Sequence, residues 1–179
     1  MNEKSGIWRA SMVSVLAIVA ATGIALRPAS AEKEGAARMG LEHLFDVQLQ
    51  YTGPVECAPL GERYGRLIGG GTGTVNGGRI KGTIVRWSNF ERTLAEGMCT
   101  LQIPAEVRTD DGAEIKFEGL GHAVVPDKAQ PDRWINAMTV RFKTEDERYG
   151  WLNTTIGVWE GEFNMKTGTT TARVYARKS

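Results

Sequence analysis

The segment Cys99-Thr-Leu-Gln-Ile-Pro-Ala-Glu-Val107, followed by Arg108-Thr-Asp-Asp-Gly112 and Ala113-Glu-Ile-Lys-Phe-Glu118, decides the fold. Apolar and polar residues alternate in its first and last parts, which is typical of β-strands with one buried face. The Asp-Gly step between them is a strong hairpin signal, because glycine readily adopts the positive φ that a tight turn needs. The segment therefore predicts an antiparallel β-hairpin.

Similar alternating runs recur on both sides of this hairpin. They cover residues 40–51, 63–75 and 79–87 before it, and 134–142, 149–159 and 169–176 after it. Glycine- and proline-rich or polar segments separate them at hairpin spacing, and no long helical pattern interrupts them. We therefore predict an all-β fold, a single antiparallel meander barrel of about eight strands, with a two-sheet sandwich as the alternative.

The N-terminal segment has the layout of a secretory signal peptide. A basic start with Lys4 and Arg9 precedes an apolar run at residues 10–26, and the small-residue site Ala29-Ser-Ala31 follows. The run is shorter than the roughly 20 residues of a spanning helix, so we expect cleavage after Ala31 rather than an uncleaved membrane anchor. The predicted organisation is a signal peptide at 1–31, a flexible N-terminus at 32–40 and a barrel domain at 41–179, located in the periplasm or secreted.

The charge of the mature chain argues against a nucleic-acid partner. Without residues 1–31 the chain keeps 19 basic and 20 acidic residues, with no basic stripe. The glycine run at 69–73 lacks the Gly-Lys-Ser/Thr that a phosphate-binding loop requires. Only two histidines are present, and neither has the ligand spacing of a zinc site. We predict no cofactor and no metal, and the sequence predicts no oligomeric state.

The two cysteines, Cys57 and Cys99, are candidates for a disulfide if the chain is exported, because disulfides persist in oxidising compartments. The bond would close a loop of about 43 residues. Cys99 also shares a strand face with Leu101 and Ile103, so a buried thiol is the alternative. The sequence leaves both open.

Four segments, in order and spacing, resemble the domain of unknown function family numbered 3237. They are Pro59–Arg63 running on to Gly70–Gly73, then Gly78–Thr83, Arg108–Ile115 and Phe142–Asn153. The resemblance covers residues 41–177 and implies a calycin-like or allene-oxide-cyclase-like barrel with no established activity. One departure is that Trp87-Ser-Asn-Phe90 stands where the resemblance implies an Asp-Trp pair.

Five residues are candidates for ligand binding: Trp87, Arg108, Arg148, Trp151 and Asn153. Trp151 and Asn153 are two apart, so on a strand they would share a face and project together. Tryptophan offers a flat apolar surface with one donor, and asparagine offers donors and an acceptor. The alternative is that Trp151 belongs to the core and Asn153 bonds a loop backbone.

The candidates for catalysis are Glu118 and His122, which share a strand face. A carboxylate and a histidine can transfer protons to and from a substrate. Glu106 and Arg108 also share a strand face and are the second candidate pair for proton transfer. An exposed histidine at a strand end is the simpler alternative for His122.

Three functions remain open. We expect an exported barrel that binds a small, largely apolar molecule in its lumen, because eight strands enclose room for side chains or for one small ligand. The alternative is a cofactor-free isomerase, cyclase or lyase acting on a hydrophobic metabolite. The third is a structural envelope protein with a filled barrel.

Overall fold

The computed structural model describes residues 40–53, 55, 58–61 and 65–177. The strands in this part of the chain are β1 (Leu41–Tyr51), β2 (Arg66–Asn76), β3 (Lys81–Ala95), β4 (Met98–Thr109), β5 (Glu114–Val124), β6 (Arg133–Lys143), β7 (Ile156–Asn164) and β8 (Thr169–Arg177). Each strand pairs antiparallel with the next, and β8 pairs with β1 to close the barrel. The predicted all-β meander barrel is confirmed, and the alternative of a two-sheet sandwich is wrong.

The hairpin that the sequence predicts is formed by β4 and β5. Their register runs from Met98 opposite Val124 to Arg108 opposite Glu114. Gly112 takes a φ of +90° in the turn, and its N–H donates to the Thr109 carbonyl over 2.9 Å. The turn is therefore closed by backbone bonds that require glycine's conformational freedom.

Alternate residues of each strand point into the barrel and fill most of it. The largest fully buried side chains are Trp159, Phe45, Ile84, Ile115, Leu152, Val47, Val75, Val140 and Val174, together with Cys99. Close packing of this kind is normal for an eight-stranded barrel, whose interior is only wide enough for side chains or one small ligand.

One 3-10 helix, Glu147–Thr154, replaces the first half of the strand predicted at 149–159. Its first turn is capped by Asp146, whose Oδ1 accepts the Arg148 N–H over 3.0 Å. Leu152 is fully buried and belongs to the core of the barrel. We call this side of the barrel, where the β2–β3 and β4–β5 turns also lie, the Leu152 end.

The opposite side is the Glu91 end, where the β1–β2, β3–β4, β5–β6 and β7–β8 connections lie. Strand β3 reaches it by continuing to Ala95, although the sequence predicted a polar connection after Trp87. The prediction was wrong because Asn89 and Glu91 point inward, at positions where a barrel strand is ordinarily apolar.

The segments predicted as signal peptide and N-terminus, up to residue 39, and Cys57 lie outside the described residues. Cleavage, export and the disulfide with Cys99 therefore stay predictions. Across the described residues, no helix has the length and apolar character needed to span a membrane.

Candidate functional site

A group of polar and aromatic side chains lies inside the barrel at the Glu91 end. Its members, which we call the polar cluster, are Tyr51, Asn89, Glu91, Trp134, Asn136, Trp159 and Thr170. Three of the polar residues are almost fully buried: Asn89 is 3% exposed, Glu91 is 7% exposed and Asn136 is 4% exposed. Because burying polar groups costs free energy unless they are paired, several of them in one interior mark a candidate site.

The polar cluster surrounds a cavity of about 30 Å³. The rest of the lining is apolar and consists of Val55, Leu101, Ile103, Ala123, Phe163 and Met165. Val55, Phe163 and Met165 are half-buried, whereas Leu101, Ile103 and Ala123 belong to the core. The enclosed space has room for roughly one water-sized group, so it is a small polar chamber in an otherwise filled barrel.

Hydrogen bonds between side chains hold the polar cluster together. The Asn89 side-chain amide donates to the Tyr51 hydroxyl over 2.9 Å. The Trp159 indole N–H donates to Asn136 Oδ1 over 2.6 Å. The Tyr51 ring also meets the Trp87 ring edge-on, with centroids 4.4 Å apart. The chamber walls are therefore held in place by both bonds and packing.

Two buried polar atoms of the cluster have no hydrogen-bond partner among the described residues. They are Asn89 Oδ1, an acceptor, and Trp134 Nε1, a donor. Leaving such an atom unpaired costs about 1–3 kcal/mol, and native structures rarely tolerate it. A guest group that both donates and accepts would satisfy the two atoms together.

Glu91 is the titratable group of the cluster. Burial and, to a lesser extent, the neighbouring Cys99 raise the pKa of its carboxyl to about 8. A hydrogen bond from Asn89 and the positive charge of Arg66 act in the opposite direction but are outweighed. The carboxyl is therefore mostly protonated at neutral pH, where it can donate a hydrogen bond.

Trp87 is the one predicted ligand-binding residue that adjoins the polar cluster. It is buried inside the barrel, and its indole N–H donates to the Thr72 carbonyl over 3.1 Å. Its edge-on contact with Tyr51 makes it part of the support behind the chamber wall.

Arg148 and Arg108 lie elsewhere. At the Leu152 end, Arg148 Nη1 is 3.0 Å from Asp111 Oδ2, and Nη2 is 2.6 Å from Asp146 Oδ2. These pairs tie the 3-10 helix to the β4–β5 turn. Arg108 is exposed on the outer face, 3.6 Å from the Glu114 carboxylate.

The sequence predicted that Trp151 and Asn153 share a strand face. This prediction was wrong, because both residues belong to the 3-10 helix. Asn153 accepts the Thr144 N–H over 2.8 Å and donates to the Thr144 carbonyl over 2.9 Å. It therefore bonds loop backbone, which was the stated alternative. The Trp151 ring lies 3.7 Å beneath the Arg79 guanidinium.

Glu118 and His122 do share one face of β5, and it is the outer face. Four residues along a strand separate their Cα atoms by about 13 Å, so the two side chains do not form a pair. Glu118 instead accepts a 2.7 Å hydrogen bond from the Gln102 amide, and His122 is exposed. Their catalytic role stays a prediction, and neither lines the chamber.

Sequence reasoning missed Glu91, Asn89, Asn136 and Trp134 as site residues. The available signal was the position of Asn136, which shares the inward face of β6 with Trp134 and Met138. A polar residue in the middle of an apolar strand face indicates either that the residue belongs to a functional site or that the inward face of the strand has been assigned wrongly.

Cys99 is the remaining residue that the sequence analysis named. It is buried, and its Sγ lies 3.9 Å from Thr93 Oγ1.

Solved structures share this fold. A beta-barrel like protein from Acinetobacter baumannii AYE is 22% identical with a TM-score of 0.66, over 77% of this chain and 95% of that chain. A protein with unknown function from Clostridium acetobutylicum ATCC 824 is 23% identical with a TM-score of 0.62, over 78% and 100%. An enzyme from Penicillium herquei is 23% identical with a TM-score of 0.50, over 75% and 92%. At these identities the likeness shows the fold alone.

No curated protein matches the sequence. The resemblance that the four sequence segments suggested is nevertheless confirmed by a family model that matches residues 39–176. The chain therefore belongs to the family described as "Protein of unknown function (DUF3237)".

Proposed function

We propose that this barrel binds a small, largely apolar molecule that carries one polar group, at the Glu91 end of its lumen. One observation carries the proposal: the acceptor Asn89 Oδ1 and the donor Trp134 Nε1 belong to residues that line one chamber, and neither atom has a hydrogen-bond partner within the described part of the chain. Ligand pockets are typically mostly apolar with a few convergent polar groups, and this chamber has that composition.

The volume of the chamber sets the shape of the ligand. A space of about 30 Å³ accepts a hydroxyl or carbonyl group but not a whole metabolite. The half-buried side chains of Val55, Phe163 and Met165 form the apolar rim around it. The polar group of the ligand then enters the chamber while its apolar body rests on this rim.

The alternative function is a structural barrel that binds no ligand, and the filled core favours it. Apolar residues at positions 89, 91, 136 and 170 would fill the lumen without burying four polar side chains. Stability alone gives no reason for these residues, which is why we prefer ligand binding. The exported location is part of the proposal and rests on the sequence of residues 1–31 alone.

The test uses 1-naphthol and naphthalene, which differ by one hydroxyl group, in isothermal titration calorimetry. We expect wild-type protein to prefer 1-naphthol, because the hydroxyl can accept from Trp134 Nε1 and donate to Asn89 Oδ1. In Trp134→Phe, which keeps an aromatic ring but loses the donor, this preference should fall about three- to tenfold.

Tyr175→Phe is the matched control, because Tyr175 donates to Glu160 on the outer face of the barrel. It should bind both probes as wild type does. Equal affinity of wild-type protein for the two probes would contradict the proposal. A loss confined to Trp151→Phe would instead place the site at the Leu152 end. Organic extraction of protein purified from its own host, followed by mass spectrometry, would identify the natural ligand.

A further inference from the structure

We propose that Glu91 is the proton-transfer group of a cofactor-free isomerase acting on an apolar ketone whose carbonyl group enters this chamber. The inference rests on the proposed function, since the same site must first bind the ketone. It adds a reaction, a substrate class and a catalytic residue to that binding site.

The geometry places an acid–base group and a hydrogen-bond donor around one cavity. Glu91 and Asn89 are two apart on β3 and both point inward, and both line the chamber with Trp134. The Trp134 N–H has no partner among the residues that the structure describes, and because it can donate only, it suits a carbonyl oxygen. A carboxyl group and a donor on the carbonyl are the two elements that enolisation requires.

The reaction is balanced without any further reagent. The Glu91 carboxylate takes a proton from the carbon next to the carbonyl, and the C–H electron pair becomes the C=C bond of an enolate. The carbonyl π electrons move to oxygen, where the Trp134 N–H stabilises the negative charge. Protonated Glu91 then returns the proton to the same carbon or, in a β,γ-unsaturated ketone, to the γ-carbon, which moves the double bond into conjugation.

The properties of Glu91 suit this chemistry. Burial keeps the pKa of its carboxyl at about 8, so the carboxylate is a stronger base than an exposed glutamate and still forms near neutral pH. Asn89 is a positioning residue, since its amide bonds both Glu91 and the Tyr51 hydroxyl. The outward-facing Glu118 lacks the burial of Glu91, because it lies in an open groove on the outer surface of the barrel.

The experiment measures exchange of α-protons for deuterium in 2-indanone and 2-tetralone by ¹H NMR. Both ketones are apolar and carry a single carbonyl. Wild-type protein should exchange them faster than buffer, with a rate that rises with pH and levels off above about 8. Glu91→Gln should lower the protein-catalysed rate by about 100-fold or more while its affinity for the ketones changes less than about threefold.

Glu160→Gln, an exposed carboxylate on the outer face of β7, is the matched control and should exchange as wild type does. Ketone binding without exchange in wild-type protein would overturn this inference and leave the proposed function standing. Exchange retained in Glu91→Gln but lost in Glu118→Gln would also overturn it. Failure to bind either ketone would contradict both. The wild-type pH profile decides the matter even if a variant folds poorly.

Discussion

The Trp159 indole N–H bonds Asn136 Oδ1 over 2.6 Å in the middle of the barrel. Both residues are buried, at 0% and 4% exposure. The bond joins β6 to β7 through side chains, and it fixes the orientation of the Asn136 amide in the chamber wall. This hydrogen bond therefore belongs both to the core and to the wall of the candidate site.

The contact predicts that Trp159→Phe is strongly destabilising. The variant leaves Asn136 Oδ1 buried without a partner and leaves a cavity where the larger ring was. We expect the free energy of unfolding to fall by about 2–4 kcal/mol in urea denaturation. Tyr175→Phe, which removes an exposed hydrogen bond, should cost much less. Equal losses in the two variants would contradict the buried bond.

Glu91 should make stability depend on pH. Its carboxyl releases its proton near pH 8 in the folded protein and near its ordinary value of 4.5 in the unfolded chain. Between these values the folded state binds more protons at Glu91, so the stabilisation that Glu91 contributes is fully present below pH 4.5 and is lost as pH rises through 8. The loss attributable to Glu91 is on the order of 4 kcal/mol.

The measurement is urea unfolding of wild-type protein and Glu91→Gln at pH 5, 7 and 9. Glutamine cannot ionise, so the variant should gain stability relative to wild type as pH rises. A difference between the two proteins that stays constant from pH 5 to 9 would show that Glu91 titrates normally.

Gly71 should not tolerate a side chain. A Cβ at this position would collide with the Gln50 carbonyl of the neighbouring strand, which is backbone and cannot swing away. We expect Gly71→Ala to lower the free energy of unfolding by about 1–3 kcal/mol. Gly78→Ala is the control, because a Cβ there meets nothing within 4 Å. Similar stabilities for the two variants would argue against close approach of β1 and β2.

Arg148 should lower the pKa of two carboxyl groups at the Leu152 end. A hydrogen bond and the positive charge of Arg148 hold the pKa of Asp146 below its usual range. The pKa of Asp111 is also lowered, by a hydrogen bond from Thr109 first and by Tyr149 and Arg148 in addition. Arg148→Gln should therefore raise both pKa values, Asp146 more than Asp111, in a ¹³C NMR titration. Unchanged values would mean that the ion pairs do not persist in solution.

Much of the barrel is predictable from sequence because it follows from strand alternation and turn chemistry. Leu101, Ile103 and Val107 all point inward as their spacing of two requires. Alternation alone does not predict which residues of β3 point into the barrel. A register shift between Ile84 and Arg86 leaves two neighbours, Val85 and Arg86, facing outward together. Beyond that bulge the alternation changes phase.

The candidate site was missed for the same reason. Once the phase changes, Trp87, Asn89 and Glu91 share the inner face, and two of the three are polar. Read without the bulge, such a segment is indistinguishable from a solvated connection. The 3-10 helix was missed because Tyr149, Trp151 and Leu152 are the aromatic and apolar residues that a strand would also contain. The signal for the start of the helix is a single capping residue, Asp146.

The most direct test of the central claim follows the indole N–H signals of the barrel tryptophans, Trp87, Trp134, Trp151 and Trp159, by ¹⁵N NMR during addition of 1-naphthol. The Trp134 signal is assigned from its absence in Trp134→Phe. If the Glu91 end is the ligand site, the Trp134 signal moves most, because its N–H gains a hydrogen bond to the ligand, while the Trp151 signal, from the Leu152 end, does not move. A titration that moves Trp151 and leaves Trp134 unchanged would contradict the claim.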